Sequence, residues 1–453
     1  MSSEMTRAKL AKLSADELAD YFNKVATRAV NELSKPEYCV PADLPRDKLR
    51  HAAASVWRRF VSSGCIGARQ LQRDPVAFLA ALYASICADF GLAAKSAIHF
   101  ELFGQSVAVL GTSKHEHLLD KLDTCEIIGC FCMTEVAHGS NVAALQTTAR
   151  YDPSTQEFVI NTPSDSARKI WIGNSFTGSR SVTVVFARLM LPASDGQVVV
   201  DGVKCNDMGV HAFVAPLFGT DGRPAQGVTH LDCGPKIGWH AVDNSCIHFR
   251  NVRVPRDNLL DKLAQVDASG AYHCAEKSPL LRFSKTLNAL AFGRLIYCAG
   301  PVAAVQLGTL IATRYAYQRR QFGAPGQEET LLKDYTTHQR ALSSFVAESF
   351  VYAMHTFELT QLYVREGATA DFHARISGLK ATIGEWSLHR LSRLRIMCGG
   401  HGYSQGARVG ELRADMDNFC TAEGDTTVLR QSAARLLLKK AHKLQPTKHG
   451  IGD

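Results

Sequence analysis

The strongest constraint on the fold is that the spacing of the apolar residues changes twice along the 453-residue chain. From the start to about Thr124, apolar residues recur three and four positions apart, which predicts α-helices. Between about Glu126 and Lys262 they alternate with polar residues or form short runs between turn formers, which predicts β-strands. Helical spacing returns after about Ser278. Helices, then strands, then helices is the order of an α+β protein and not of an alternating βαβ sheet.

Two local features refine the helical parts. Asp74 and Pro75 precede the apolar run VAFLAALYASI, which is the arrangement of an N-cap and a first-turn proline before a buried helix. Residues 295–313 carry no charge, so this stretch is long enough to cross a bilayer. Its glycines, its proline and Gln306 make it only mildly apolar, and we therefore predict a helix buried inside the protein, with no membrane span.

Composition excludes several classes of protein. Hydrophobic residues make up 46% of the chain and charged residues 21%, which excludes a disordered or collagen-like chain. The net charge of +8 is diffuse and predicts no nucleic-acid partner. The 13 cysteines form no C-x-x-C pair, so no zinc or other metal site and no disulfide framework are expected, and a reducing compartment fits best. The N-terminus lacks a secretory signal, and the last three residues are not a peroxisomal S-K-L tail.

The common nucleotide and metal motifs, such as G-x-G-x-x-G and H-E-x-x-H, are absent from the sequence. Other unusual segments occur in a fixed order: CFCMTEVAHGSNVAALQTTA (130–149), KIWIGN (169–174), RRQFG (319–323), CGGHGYS (398–404) and CTAEGDTTVL (420–429). In this order and in this layout of helices and strands, the chain resembles the acyl-CoA oxidase family, the peroxide-forming branch of the acyl-CoA dehydrogenase superfamily. The resemblance covers about residues 100–440 and is nearest to the long-chain oxidases of plant peroxisomes, which share W-I-G-N.

The resemblance implies three domains. These are an N-terminal helical domain at 1–125, a central antiparallel β-barrel-like domain at 126–270 and a C-terminal helical bundle at 271–453. Typical oxidases continue into a second C-terminal helical domain that carries the usual peroxisomal signal, and this chain is expected to lack that domain. A homodimer, a homotetramer of the dehydrogenase type or a separate partner chain is expected to cover the exposed helices.

The resemblance also implies the chemistry: oxidation of an acyl-CoA to trans-2-enoyl-CoA with FAD as cofactor and molecular oxygen as acceptor, in peroxisomal fatty acid β-oxidation. By motif position Glu423 is the base that removes the α-proton, and Gly424 lets the backbone approach the substrate. The position before a helix agrees, since helix dipoles favour an ionised carboxylate there. A simple helix-capping role is the alternative. His138 and His401 are weaker candidates for the base, because both lie in Gly-flanked turns.

Cofactor contacts are likewise implied by motif position. Small residues in the 133–140 segment allow a close approach to the flavin. Arg319 matches the family position that reaches the ADP half of a flavin bound mainly by a neighbouring subunit, where its fork suits the pyrophosphate. Gly173 replaces the Thr of dehydrogenases, leaving space for oxygen. A strand bulge is the alternative reason for Gly173, and a solvated helix end is the alternative for Arg319. Arg294 is expected to contact the coenzyme A part of the substrate or to lie on a helix surface. The expected cofactor residues are Met133, Thr134, Ser140, Trp171, Gly173, Arg319, Gln321, Phe322, Gly400 and Gly402.

Two rival functions remain open from the sequence. An acyl-CoA dehydrogenase would pass its electrons to an electron-transfer flavoprotein and form little peroxide. A catalytically weak structural subunit of a larger oxidase is suggested by Ala422 and Thr426, which replace residues usual in the family.

Overall fold

The computed structural model describes residues 5–41, 43–176 and 180–443 of the chain. Contacts divide the chain into two compact units, Met1–Gly293 and Arg294–Asp453. Helices precede and follow the strands, which confirms the α+β class predicted from the two changes of periodicity.

The N-terminal part of the first unit is helical, as predicted. Asp74 Oδ1 accepts a hydrogen bond of 2.8 Å from Ala77 N, and Pro75 occupies the first position of the helix, so the predicted cap is confirmed. Helices α6 (Phe90–Ser96) and α7 (Gln105–Leu110) are joined by a π-helical segment, Ala97–Gly104. The helices are α1 Arg7–Leu10, α2 Ala15–Leu33, α3 Arg46–Ser62, α4 Ala68–Arg73, α5 Pro75–Ala88, α6 Phe90–Ser96, α7 Gln105–Leu110 and α8 His117–Asp123.

A curled set of strands follows in the same unit. The largest sheet has the order β10-β3-β2-β5-β7-β6, with β1 paired to β5, and a second sheet has the order β4-β9-β8. Most neighbours are antiparallel, as expected, but β1 and β2 both run parallel to β5. Alternation of apolar residues predicts strands and not their direction, so these two pairings were not foreseen. The strands are β1 Ile128–Cys132, β2 Thr148–Asp152, β3 Glu157–Asn161, β4 Lys169–Gly173, β5 Ser181–Pro192, β6 Val198–Val200, β7 Val203–Pro216, β8 Val228–Asp232, β9 Asn244–Phe249, β10 Val252–Pro255, β11 Gln265–Val266 and β12 Tyr272–His273.

One apolar core joins these strands. Side chains from β1, β2, β3, β4, β5, β7, β8, β9 and β10 form a single buried cluster, in which Tyr151, Phe158 and Phe213 are fully buried. The ring of Phe158 packs at an angle against the other two. Its centroid lies 5.2 Å from that of Tyr151 and 4.9 Å from that of Phe213. Burial of large aromatic side chains is a major stabilising contribution, so this cluster stabilises the sheets, including β4 through Ile172.

The second unit is a set of long helices. Its first helix, α10 (Ala291–Gln318), begins three residues before the unit boundary and contains the uncharged stretch. This helix is long and apolar enough to cross a membrane, but 72% of its most apolar window is buried within the protein. That burial agrees with the predicted core helix. The other α-helices of this unit are α11 Thr336–Glu366, α12 Ala370–Met397, α13 Val409–Met416 and α14 Thr426–Lys443. Helix α9, Pro279–Thr286, precedes α10 and belongs to the first unit.

A buried histidine makes the stability of the first unit depend on pH. His99 lies in the π-helical segment, where its Nε2 is 3.0 Å from the carbonyl oxygen of Leu122 and its Nδ1 accepts a 2.8 Å hydrogen bond from Gly129 N. Burial lowers the pKa of His99 to about 4. Below pH 6.5 the unfolded chain therefore binds a proton that the folded chain does not bind, and stability is lost between pH 6.5 and 4.

We expect His99 to account for a loss of about 3 kcal/mol in the free energy of unfolding over this range. Urea unfolding at a series of pH values measures this loss, and His99→Gln should make the pH dependence shallower. His117, which is exposed, provides the control: His117→Gln should leave the slope unchanged. Equal slopes in all three proteins would contradict the assignment.

Candidate active site

In the first unit, strand β4 holds an aromatic side chain outward. Its pairing with β9 shifts register between Lys169 and Ile172, which marks a β-bulge. Within the bulge Trp171 has a φ of +63°, a conformation that costs a non-glycine residue about 1–3 kcal/mol. Asn244 Nδ2 donates a hydrogen bond of 2.9 Å to the Trp171 carbonyl. The indole of Trp171 is 57% exposed, so a flat apolar ring faces solvent beside the strand.

Met133 and Thr134 lie next to this strand. Lys169 Nζ donates to the carbonyl of Met133 over 3.0 Å, and the backbone N–H of Ile170 donates to the carbonyl of Thr134 over 3.1 Å. The structure therefore brings Met133 and Thr134 to the residues that flank Trp171. Ser140 is exposed in the turn that follows.

A buried ion pair, which no sequence motif indicated, joins the two segments. Lys169 and Glu135 have fully buried side chains, with Nζ and Oε1 3.1 Å apart. Glu135 also accepts hydrogen bonds from Gln146 N, Thr147 N and Thr147 Oγ1 at 2.6–2.9 Å. Burial opposes ionisation of Glu135, but Lys169 and these donors outweigh it and hold the pKa of Glu135 below its ordinary value. The pair fixes the Met133 segment against β4.

The structure gives Gly173 a packing role. A Cβ at this position would lie 2.5 Å from Ile98 Cδ1 and 3.6 Å from Val242 Cγ1. The space that the missing side chain provides is thus occupied by Ile98 of the π-helical segment. Because the bulge ends before Gly173, close approach of Ile98 is the more direct reason for the glycine.

Gly173→Thr should therefore destabilise the protein by about 1–3 kcal/mol through overpacking against Ile98. Adding Ile98→Ala to the same chain should recover part of that loss, which urea unfolding of the single and double variants measures. Gly410 serves as the control, because a Cβ there meets nothing within 4 Å. Gly410→Ala should not lower stability. Strictly additive losses from Gly173→Thr and Ile98→Ala would contradict the packing account.

In the second unit, two of the predicted cofactor segments meet at the end of α10. The loop after α10 is closed by hydrogen bonds from Gln321 N to the Thr330 carbonyl (3.0 Å) and from Thr330 N to the Phe322 carbonyl (2.7 Å). Phe322 has a φ of +53° and is 76% exposed. Arg319 begins this loop and is exposed. The loop therefore exposes a cation and an aromatic ring three positions apart in the sequence.

The turn that follows α12 contains Gly400 and Gly402. Tyr315, in the last turn of α10, lies with its hydroxyl 3.3 Å from His401 Nδ1. This contact brings the turn to the end of α10 where the Arg319 loop begins. A Cβ at Gly402 would lie 2.2 Å from the carbonyl oxygen of Arg395, so a side chain there would collide with the backbone, whereas a Cβ at Gly400 meets nothing within 4 Å.

Glu423 lies in a strained turn directly before α14, where the sequence predicts it. Its φ is +53°, and the next residue, Gly424, has a φ of +104°. The side chain is half-buried. Burial raises the pKa of Glu423 above its ordinary value, and the positive charges of Arg294 and Lys380 oppose that rise. A carboxyl group in this environment is poised to exchange a proton closer to neutral pH than an ordinary Glu.

The structure also brings Arg294 into the surroundings of Glu423. Arg294 lies near the start of α10, is half-buried, and its Nη1 is 3.3 Å from His373 Nδ1. It is thus not an exposed helix-surface arginine. Lys380, which no sequence motif indicated, is fully buried in α12, and its Nζ donates over 2.5 Å to the carbonyl of Gly424.

The two histidines that rival Glu423 as the base make contacts within their own turns or with a neighbouring helix. His138 Nδ1 is 3.2 Å from Glu135 Oε2, and His401 bonds to Tyr315. The first contact holds His138 to its own turn, and the second holds the His401 turn to α10.

Comparison with known proteins identifies the family. The acyl-CoA oxidase C-alpha1 domain matches residues 287–438. The peroxisomal acyl-coenzyme A oxidase 2 of Arabidopsis thaliana is 38% identical over 436 residues, covering 94% of this chain and 60% of that protein. The chain belongs to the acyl-CoA oxidase family. It spans about 60% of the length of this Arabidopsis relative.

Solved acyl-CoA oxidases share the fold. Acyl-CoA oxidase 3 of Yarrowia lipolytica superposes with a TM-score of 0.79 at 31% identity, covering 97% of this chain and 65% of that structure. Acyl-CoA oxidase 1 of Caenorhabditis elegans, solved with FAD and ATP, superposes with a TM-score of 0.78 at 27% identity. The match covers 96% of this chain and 64% of that structure. The family resemblance read from the motifs is confirmed.

Strained backbone marks three of the acyl-CoA oxidase positions singled out from the sequence. Trp171, Phe322 and Glu423 all have φ between +53° and +63°. Non-glycine residues persist in this conformation only where the surroundings enforce it, and such residues cluster at functional sites. The oxidase motifs therefore coincide with places where the fold holds a side chain in an unfavourable conformation.

Proposed function

We propose that this chain is an FAD-dependent acyl-CoA oxidase that converts an acyl-CoA to its trans-2-enoyl-CoA with formation of hydrogen peroxide. The observation that carries the proposal is Glu423, a half-buried carboxyl group whose pKa is raised by burial and which a left-handed turn holds at the start of α14. The oxidase relatives, one of them solved with FAD, support the same chemistry.

The chain offers groups that fit a flavin dinucleotide. The uncovered indole of Trp171 suits a flat ring, and Arg319, at the exposed start of its loop, suits a pyrophosphate. At Gly139 and Gly400 a Cβ would meet nothing within 4 Å, so the backbone there is open to a ligand. We assign cofactor binding to Met133, Thr134, Ser140 and Trp171, and to Gly173 through its backbone alone, because Ile98 fills the space beside it. We assign Arg319, Gln321, Phe322, Gly400 and Gly402 to a flavin bound mainly by a neighbouring subunit.

The residues of the second unit would act on the substrate. Ionised Glu423 would take the α-proton of the thioester onto a carboxylate oxygen, while its backbone N–H would donate to the thioester oxygen as negative charge develops there. Arg294 would contact the coenzyme A part, and Gly424 would allow the substrate to approach the backbone. Bound FAD would supply an acceptor for the β-hydrogen as hydride and a route for the two electrons to dioxygen, giving hydrogen peroxide.

Location and assembly follow from the same proposal. We propose that the protein acts in the peroxisome, because relatives such as the Arabidopsis enzyme are named as peroxisomal. A homodimer or homotetramer is proposed because apolar side chains on α11, among them Phe350 and Val351, are 64% and 62% exposed.

Aerobic incubation of the FAD-loaded protein with acyl-CoAs of several chain lengths tests the proposal. We expect enoyl-CoA and hydrogen peroxide to form in equal amounts. Flavin bleaching with little peroxide would instead indicate a dehydrogenase that needs a protein acceptor. No bleaching by any acyl-CoA would indicate a structural subunit and would overturn the proposal.

A further inference from the structure

Lys380 is a buried cation beneath the turn that carries Glu423. Its side chain is fully buried in α12, although lysine is almost never found fully buried without a partner. The ammonium donates to the carbonyl of Gly424 over 2.5 Å and lies 5.7 Å from the centre of the Tyr297 ring. Tyr297 in turn packs on Phe419, with ring centroids 4.6 Å apart. The contacts of Lys380 are thus directed at the turn and at the Tyr297–Phe419 pair.

The turn itself requires such support. Glu423 and Gly424 have φ of +53° and +104°, both in the left-handed half of conformational space. The turn is also crowded, because a Cβ at Gly424 would lie 2.8 Å from Leu429 Cδ2. On the other side Thr426 is buried and its hydroxyl donates to the carbonyl of Cys420 over 3.1 Å. Lys380 supplies the bond that ties the Gly424 carbonyl to a neighbouring long helix.

The charge of Lys380 also acts on Glu423. Burial lowers the pKa of Lys380 to about 8, and the negative charge of Glu423 opposes that shift. Lys380 is one of two cations that oppose the rise in the pKa of Glu423, the other being Arg294. His373, which contacts Arg294, has its pKa lowered to about 4 and is neutral near pH 7. The titratable or charged groups that act on Lys380 are Glu423, Arg294, Cys298 and Cys420.

We propose that Lys380 is a positioning residue for the base, holding the Glu423–Gly424 turn through the Gly424 carbonyl and supplying a positive charge that keeps Glu423 ionised. The proposal for Lys380 rests on the proposed function in one respect: it takes Glu423 to be the base. The carboxyl group and its titration can be measured without turnover. The proposal adds a residue to the site that no family motif identified from the sequence.

Three variants test it. Lys380→Met removes the charge and the hydrogen bond, Lys380→Arg keeps the charge, and Lys439→Met removes an exposed lysine from α14 as the matched control. In each protein the Glu423 carboxyl is titrated by infrared spectroscopy, with its band assigned by its loss in Glu423→Gln. Anaerobic flavin bleaching by an acyl-CoA is followed over the same pH range.

We expect Lys380→Met to raise the apparent pKa of Glu423 by about one unit or more, because an adjacent opposite charge typically shifts a carboxyl by one to three units. The pH below which the bleaching rate falls should rise by the same amount. Lys380→Arg and Lys439→Met should stay close to the parent protein. An unchanged Glu423 titration in a folded Lys380→Met protein would overturn the proposal, even if its rate is reduced.

The infrared result separates this proposal from the proposed function. If no acyl-CoA bleaches the parent protein, the function fails while the titration still decides the role of Lys380. If Lys380→Met does not fold, as judged by circular dichroism, the reciprocal measurement replaces it. By linkage, Glu423→Gln should lower the pKa of the Lys380 ammonium, followed by ¹⁵N NMR, and no change there would overturn the proposal.

Discussion

Replacing Glu423 with Gln is expected to abolish oxidation of acyl-CoA while leaving FAD bound. The amide keeps the size of the side chain but cannot take a proton, and a positioned general base typically contributes 10²–10⁴-fold to a rate. We therefore expect the rate of anaerobic flavin bleaching to fall by at least about 100-fold. Stopped-flow absorbance at the flavin band measures that rate, and the bound flavin is quantified in the same sample.

Glu385 offers the matched control for this change. It lies on α12, is 44% exposed at its side chain and pairs with Arg430 at 2.6 Å, so Glu385→Gln removes a carboxylate from the same unit without touching the turn. This variant should bleach at the parent rate. Because burial raises the pKa of Glu423, the parent rate should also fall off on the acid side at a higher pH than an ordinary Glu would give. Unchanged bleaching by Glu423→Gln would remove Glu423 from its role.

Replacing Lys169 with Met is expected to cause the largest loss of stability. The change leaves the carboxylate of Glu135 buried without its cation, and breaking a buried ion pair in this way costs about 3–5 kcal/mol. The carbonyls of Met133 and Phe186 lose a donor at the same time. Urea unfolding measures the loss, and the affinity for FAD should fall with it because the Met133 segment is no longer held.

Two further variants sharpen the result for Lys169. Adding Glu135→Gln to Lys169→Met should recover part of the stability, since the uncompensated charge is gone. Lys121→Met removes one partner of an exposed ion pair with Glu126, 3.1 Å apart, and should cost no more than about 1 kcal/mol. A loss for Lys169→Met as small as that for Lys121→Met would show that the buried pair does not support this part of the fold.

The order of secondary structure followed from the sequence because the spacing of apolar residues reflects which face of an element is buried. The cap at Asp74 and the burial of α10 were predictable for the same local reasons. The parallel pairings of β1 and β2 with β5 were not, since pairing partners are set by contacts distant in the sequence. The proposed domain limits at 125 and 270 stay a prediction, while the contacts themselves divide the chain at Gly293.

The candidate site was predictable where a motif fixes the residue and not where a distant partner does. Glu423 and Trp171 stand within short distinctive segments. Lys380 lies within helix α12, where no distinctive motif surrounds it. Its hydrogen bond to Gly424, 44 positions away in the sequence, is visible only in the fold. Similarly, the reason for Gly173 depends on Ile98, which no local pattern connects to it.

Uptake of FAD by the purified chain, followed by addition of an acyl-CoA in the absence of oxygen, tests the central claim most directly. The account predicts a yellow protein with one FAD for each chain, whose absorbance in the flavin band is lost when the acyl-CoA is added and returns in air as hydrogen peroxide forms. A chain that folds but stays colourless when FAD is supplied, or that keeps its flavin absorbance with every acyl-CoA, would contradict it.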